Sequence, residues 1–325
     1  ASSIVFASAP FLYILVSTWW QLILVRFYHG FATAIFVPVM RAVISDYFPS
    51  RKGERISMFT SATIVGRSIA PFLGGFILSV TLWNFRTLYL TVGIAGVTAL
   101  LTTFFLLKEK DEASERRLPK TLGQRSREKK RTSTRRLKDV YGNFGIIFAS
   151  ATEAVAYYVY GALEFFLAGY LKNVALLDPS LIGAILGVQL ALIPFVSPFM
   201  GRFSDRVGRT IPITAGLLIG GFPLLIIPYT THFPILLAIS VTYGLSFAMV
   251  TSSTPALVGD LSSKEQYGAA MGLLATVMDI GQMLGPIITG IILATFGYSG
   301  SFTSLGAILL CFSTLFIMFR RLFSS

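Results

Sequence analysis

This chain is short of charge, of cysteine and of histidine, and each shortage removes a class of protein. Only 13% of its 325 residues are charged, while 54% are hydrophobic. Soluble domains carry about 25% charged residues, so a water-soluble globule is excluded and lipid is the solvent for most of the chain. The single cysteine, Cys311, lies in an apolar run and supports neither a disulfide framework nor a thiolate cluster. Two histidines, His29 and His232, with no clustered acidic ligands beside them, leave no metal site and no expected cofactor. That also counts against a membrane-embedded acyl or glycosyl transferase, which needs a catalytic acid, base or metal set. No phosphate-binding glycine loop followed by lysine occurs, which argues against an ATP-driven pump. The short alternating segments of roughly 10 residues that build a transmembrane barrel are missing too.

What the sequence does have is long apolar runs. Stretches such as GIAGVTALLTTFFLL and PITAGLLIGGFPLLII approach the ~20 residues that carry a helix across ~30 Å of hydrocarbon. The fold class is therefore an all-α, polytopic membrane protein. Apolar runs between polar turns predict about ten spans, near 3–18, 21–45, 57–80, 85–107, 143–171, 180–200, 211–229, 234–258, 268–295 and 299–319. The turns alternate in charge. Of the 27 lysines and arginines, 23 fall on one side and two, Arg86 and Lys172, on the other, with Arg26 and Arg67 inside spans. The positive-inside rule makes the basic side cytoplasmic, with both chain ends at that side. Trp19, Trp20, Trp83 and Tyr229 then fall at the opposite interface, where aromatic belts form. The net charge of +12 follows from this topology and does not call for nucleic acid as a partner.

One long polar segment, residues 108–140, holds thirteen basic and six acidic side chains with little to bury. It reads as a solvated linker between two bundles, able to touch anionic headgroups. The two flanks repeat. GRSIAPFLGGFIL at 66–78 aligns without a gap with GQMLGPIITGIIL at 281–293, an offset of 215. Gly66, Pro71, Gly75, Ile77 and Leu78 recur as Gly281, Pro286, Gly290, Ile292 and Leu293. A parallel pseudo-repeat of two bundles has this signature.

Ionisable residues inside spans cost ~2.5–3.5 kcal/mol each at mid-bilayer and so mark function or structural pairing. Arg26, Arg67, Glu153, Glu164 and Asp279 qualify, with His29. Glu153 and Glu164 are eleven residues apart, on one helix face three turns apart, with Tyr157 and Tyr160 on or beside that face. An acidic, aromatic stripe suits a cationic or amphiphilic substrate, or a proton-carrying carboxyl. Hydration of Glu164 at the outer surface and a structural ion pair or snorkelling for Arg26 are the plainer readings. Gly66, Ala70 and Gly74 are spaced four apart, so a neighbouring helix can approach closely, and Pro71 permits a bend. The same residues serve a moving interface or a static one.

The turn GRFSDRVGRT, Gly201 to Thr210, joins a carboxylate to three arginines. Gly201 and Gly208 are expected to allow the turn's backbone angles, and Asp205 to sit near the start of the next helix, bonded to Arg206, Arg209 or free amides. This loop resembles the signature loop of the major facilitator superfamily, with Phe203 and Thr210 where that family more often has leucine and a basic residue. WWQLILVRFYHGFATA, with Arg26, Gly30 and Ala34, is similar to the family's fourth helix, His29 replacing a common glutamine. GRSIAPFLGG, with Gly66, Ala70, Pro71, Gly74 and Gly75, is similar to the fifth-helix motif associated with antiporters. Gly281, Gly285, Pro286 and Gly290 are its repeat counterpart. Asp46 and Asp260 fall at matching ends of the fourth and tenth family helices, and Arg55 follows the first as its basic partner.

The resemblance implies residues 1–107 as an incomplete first bundle with family helices 3–6, 108–141 as the linker, 142–319 as a six-helix second bundle, and 320–325 as a tail. The repeat counterpart of the loop at Gly201 would fall before Ala1, so the ten spans are expected to be the last ten of twelve. This stretch alone is then not expected to transport. The function implied is secondary active transport by alternating access, as proton-coupled efflux of drug-like or metabolite substrates through a monomer in the cell membrane. A uniporter or symporter for sugars or organic acids, with Arg26 as anion contact, and a non-transporting sensor on the same fold are the alternatives. Arg26, His29, Arg67, Glu153, Tyr157, Tyr160, Glu164 and Asp279 are the substrate or coupling candidates. Gly201, Asp205, Arg206, Gly208, Arg209, Asp46, Arg55 and Asp260 form the conformational-gate set.

Overall fold

A computed structural model describes residues 2–48, 51–106 and 140–319. Nearly all of the expected linker, and the tail 320–325, lie outside the described residues. Among the described residues every regular element is helical: α1 Ser2–Leu15, α2 Trp19–Tyr47, α3 Lys52–Val80, α4 Phe85–Leu106, α5 Phe144–Asn173, α6 Pro179–Val207, α7 Thr210–Ile226, α8 Phe233–Asp260 and α9 Tyr267–Phe319, with a 3-10 turn at Ile227–Tyr229 between α7 and α8. Eight of these are long and apolar enough to cross a membrane, and Ser3–Leu15 forms a shorter apolar helix.

Local chemistry sets the ends. The Gln21 carboxamide oxygen accepts from the backbone amides of Ser17 and Thr18, at 2.8 and 3.2 Å, and closes the start of α2. The Asn143 side chain accepts from the Ile146 amide at the start of α5. Pro179 opens α6, and Gly208, at φ 90°, terminates it in a conformation that a side chain resists. α9 runs for 53 residues, roughly 80 Å at 1.5 Å per residue, far more than one crossing requires. Gly297, at φ 66° and ψ −169°, interrupts it and divides it into two spans.

The chain clusters into two units, Ala1–Gly66 with Leu73–Lys120, and Arg67–Phe72 with Thr121–Ser325. The middle turns of α3 thus group with the second unit. In the first unit α1 packs on α2 and α4, where the Cα of Ala7 would lie 3.2 Å from a Cβ placed at Gly96. In the second unit α5 packs on α9, α6 on α8, and α7 on both α8 and α9. Ile146, Ala149, Val159, Leu163 and Leu171 of α5 lie at its core. The tightest seam joins α5 to α9. A Cβ at Gly281 would collide with the carbonyl oxygen of Ala154, one at Gly285 with that of Tyr158, and one at Gly161 with that of Gln282. The small-residue motif here works as close packing, and Gly290 continues it, where a Cβ would lie 3.4 Å from the Phe166 ring.

Two expectations about the signature turn change. Gly201 lies inside α6, and Asp205 sits in the last turn of that helix, short of α7. The helix runs on because a glycine ends a helix only where the chain must adopt a left-handed backbone, and here that residue is Gly208.

Candidate functional site

Glu153 is the deepest acidic side chain described. It sits mid-helix on α5 at 2% exposure, and its Oε2 has no hydrogen-bond partner. The Thr254 side chain of α8 is the polar neighbour of this carboxyl. Ser150, three residues earlier on α5, and Ser253, beside Thr254, are also buried, and neither hydroxyl has a partner. An ionised carboxylate held dry without a cation costs far more than a hydrated one. Water access and charge at Glu153 are therefore linked.

One turn further along α5 lies an aromatic cluster. Tyr157 and Tyr160 both meet Phe247 of α8, at centroid distances of 5.2 and 4.9 Å, and Tyr243 stacks on Phe247 at 6.3 Å. Arg67 reaches this cluster from the middle of α3, its Nη2 donating to the Tyr160 hydroxyl at 3.0 Å. The Tyr157 phenol lies within electrostatic reach of Glu153, Arg67 and Asp279. Four of the eight sequence candidates, Arg67, Glu153, Tyr160 and Asp279, are thus brought around the phenol of a fifth, Tyr157. Glu164 is exposed, although Tyr160 still feels its charge. The helix face shared by the two glutamates splits by depth into a dry end and an open end.

Arg26 and His29 belong to the first unit and form a different group. His29 stands edge-on to Phe6 and Tyr13 at 5.6 and 6.0 Å, and Arg26 is its electrostatic neighbour. Tyr13 stacks on Tyr89 at 5.1 Å.

The gate residues are partly joined. Arg209, in the turn between α6 and α7, donates from Nε to Asp260 Oδ2 at 2.9 Å and from Nη1 to Asp205. A longer bond runs from Nη1 to Ser204 Oγ at 3.4 Å. One guanidinium therefore ties the end of α6 to the end of α8. The hydrogen bond to Asp260, with a further one to Asp205, makes Arg209 hold its proton still more firmly. Arg206 is exposed beside this triad. In the first unit Arg55 lies over the Phe48 ring at 5.0 Å, and the Asp46 side chain lies outside the described residues. A Cβ added at Gly66 would meet nothing within 4 Å, one at Gly74 would meet only Leu88, at 3.9 Å, and Gly75 is buried. Pro71 and Pro286 sit inside their helices, as the sequence indicates.

Sequence reasoning passed over Ser150, Thr254, Tyr243 and Phe247. The first was within reach: Ser150 precedes Glu153 by three residues and shares its helix face.

The family model described as the Major Facilitator Superfamily matches residues 1–174 and 142–323. An uncharacterized MFS-type transporter of Methanocaldococcus jannaschii is 23% identical over 299 residues, 90% of this chain and 72% of the relative. Multidrug resistance protein 2 of Bacillus subtilis is 35% identical over 114 residues, 35% of this chain and 28% of the relative. A solved bacterial homolog of the human lysosomal transporter Spinster, inward-facing and unoccupied, shares the fold at TM-score 0.74 and 15% identity, covering 99% of this chain and 80% of its own. With the family model covering almost its whole length, the chain belongs to the Major Facilitator Superfamily, a multi-pass membrane transporter and not an enzyme.

Proposed function

We propose that this transporter works by alternating access and uses a proton gradient to drive efflux of drug-like or metabolite substrates, as an antiporter. The observation that carries this reading is Glu153, a carboxyl at 2% exposure with an unpartnered oxygen in the middle of a span. A carboxyl so placed becomes charged when water reaches it and is closed off at least cost when it carries a proton. That is the property a proton-coupled gate needs. The aromatic cluster of Tyr157, Tyr160 and Phe247, flanked by Arg67 and Asp279, offers ring faces and both signs of charge to an amphiphilic substrate. The likeness to a protein named for multidrug resistance supports the outward direction. The count of 23 basic residues against two supports a cell-membrane protein with its linker and C-terminus in the cytoplasm. The linker at 108–141 divides the bundles, and the protein acts as a monomer.

The test is flux of a lipophilic fluorescent cation in vesicles carrying the protein expressed from its full reading frame. Wild type moves the dye against its gradient when a pH gradient is imposed, and E153Q reduces that to the level of empty vesicles while still binding dye. Unchanged pH-driven flux in E153Q, and in a variant that also carries E164Q and D279N, would overturn the reading. Gradient-independent uptake of organic acids that R26Q abolishes would instead identify a facilitative carrier.

A further inference from the structure

Several side-chain oxygens on and beside Glu153 are buried without a hydrogen-bond partner. The Thr254 hydroxyl donates its single proton to the Val250 carbonyl at 3.0 Å, which leaves its oxygen lone pairs free for a cation. Glu153 Oε2, Ser150 Oγ and Ser253 Oγ are buried without partners. Pro255, inside α8, lacks an N–H, which removes the helical donor of the Thr251 carbonyl. A proton bound at Glu153 adds one donor at one carboxyl oxygen, whereas a cation can take lone pairs from the carboxylate and the hydroxyl oxygens together. No ion pair reaches Glu153 among the described residues.

We propose that Glu153, Ser150 and Thr254, on the facing surfaces of α5 and α8, form an oxygen-only binding site for a monovalent hard cation of sodium size. The donor set fits that class and few others. It has carboxylate and hydroxyl oxygens but no nitrogen or sulfur, which favours hard cations over transition metals. It carries one negative charge, so a monovalent ion leaves the buried site neutral, whereas a divalent ion strands a positive charge in a dry interior. Sodium and the proton then compete for the same carboxylate. The charged and titratable groups around it are Tyr157 and Tyr160 on α5, with Arg67 of α3 and Asp279 of α9 reached through Tyr157, and Tyr243 on α8. The proposal goes beyond proton coupling and depends only on Glu153 being ionisable.

Binding of ²²Na⁺ to the purified protein at alkaline pH tests it. Wild type should bind saturably, with displacement by unlabelled Na⁺ or by acidification and much less by K⁺. E153Q should lose binding. S150A and T254V should weaken it by roughly tenfold or more, whereas T254S, which keeps the hydroxyl, should retain it. Monodisperse elution of each variant separates loss of the site from loss of the fold. Wild-type binding no greater than that of E153Q, as expected if water alone fills the site, would overturn the proposal. Failure here with E153Q still defective in proton-driven flux leaves proton coupling standing. Sodium binding in a protein whose flux ignores the pH gradient leaves the site standing and removes proton coupling.

Discussion

The two units are about equally apolar in sequence and very unequally packed. Among the described residues the buried hydrophobic side chains of the first unit are three alanines, Ala7, Ala9 and Ala32, whereas the second buries Ile146, Leu163, Leu171, Ile213, Leu217, Phe302 and many others. The same contrast holds for the repeated motif. Gly281 presses on the backbone of α5, while a Cβ at Gly66, its counterpart at an offset of 215, would meet nothing within 4 Å. Hydropathy reports the solvent, since lipid is as good an environment for leucine as another helix is. Packing depends on where a small residue finds a partner backbone, and no count of apolar residues contains that.

Substitutions at the paired glycines test this contrast most severely. G281A and G285A each force a Cβ onto a carbonyl oxygen and should cost about 1–3 kcal/mol, read as a lowered midpoint of thermal unfolding in detergent. G66A should stay within about 0.5 kcal/mol of wild type. Equal damage at Gly66 and Gly281 would erase the difference between the units. The Tyr170 hydroxyl, which reaches the carbonyls of Ile227 and Thr230 at 2.7 and 2.9 Å, ties α5 to the end of α7. Y170F should lose about 1–2 kcal/mol by leaving buried acceptors unmet, with the same midpoint as readout. R209A should cost less, up to about 1 kcal/mol, because the carboxylates of Asp205 and Asp260 are 61% and 58% exposed. High salt should shrink that loss, and a salt-independent loss would mean that Arg209 acts through packing.

Much of this was legible from the runs of apolar residues. The predicted spans fall on the helices, including the pair 268–295 and 299–319 that meet at Gly297. The overruns were not legible. α3 begins at Lys52 and α6 continues to Val207, because a helix can project past the hydrocarbon into water, where polar residues are no obstacle. The site was half legible. An acid in a span announces itself, but Thr254 looks like Thr91, Thr98 or Thr102, all of which also donate to the carbonyl four residues back. What sets Thr254 apart is a glutamate about a hundred residues away on another helix, and periodicity carries no record of it. Phe247 is hidden in the same way, as one more aromatic in a chain with 28 phenylalanines.

The α5–α9 seam has a consequence for traffic from the bilayer. Where Gly161, Gly281 and Gly285 bring backbone against backbone, no gap remains that could admit an acyl chain or a flat ring. A lipophilic molecule leaving the membrane for the interior of this bundle has to enter between other helices, so the glycines fix which walls can serve as doors.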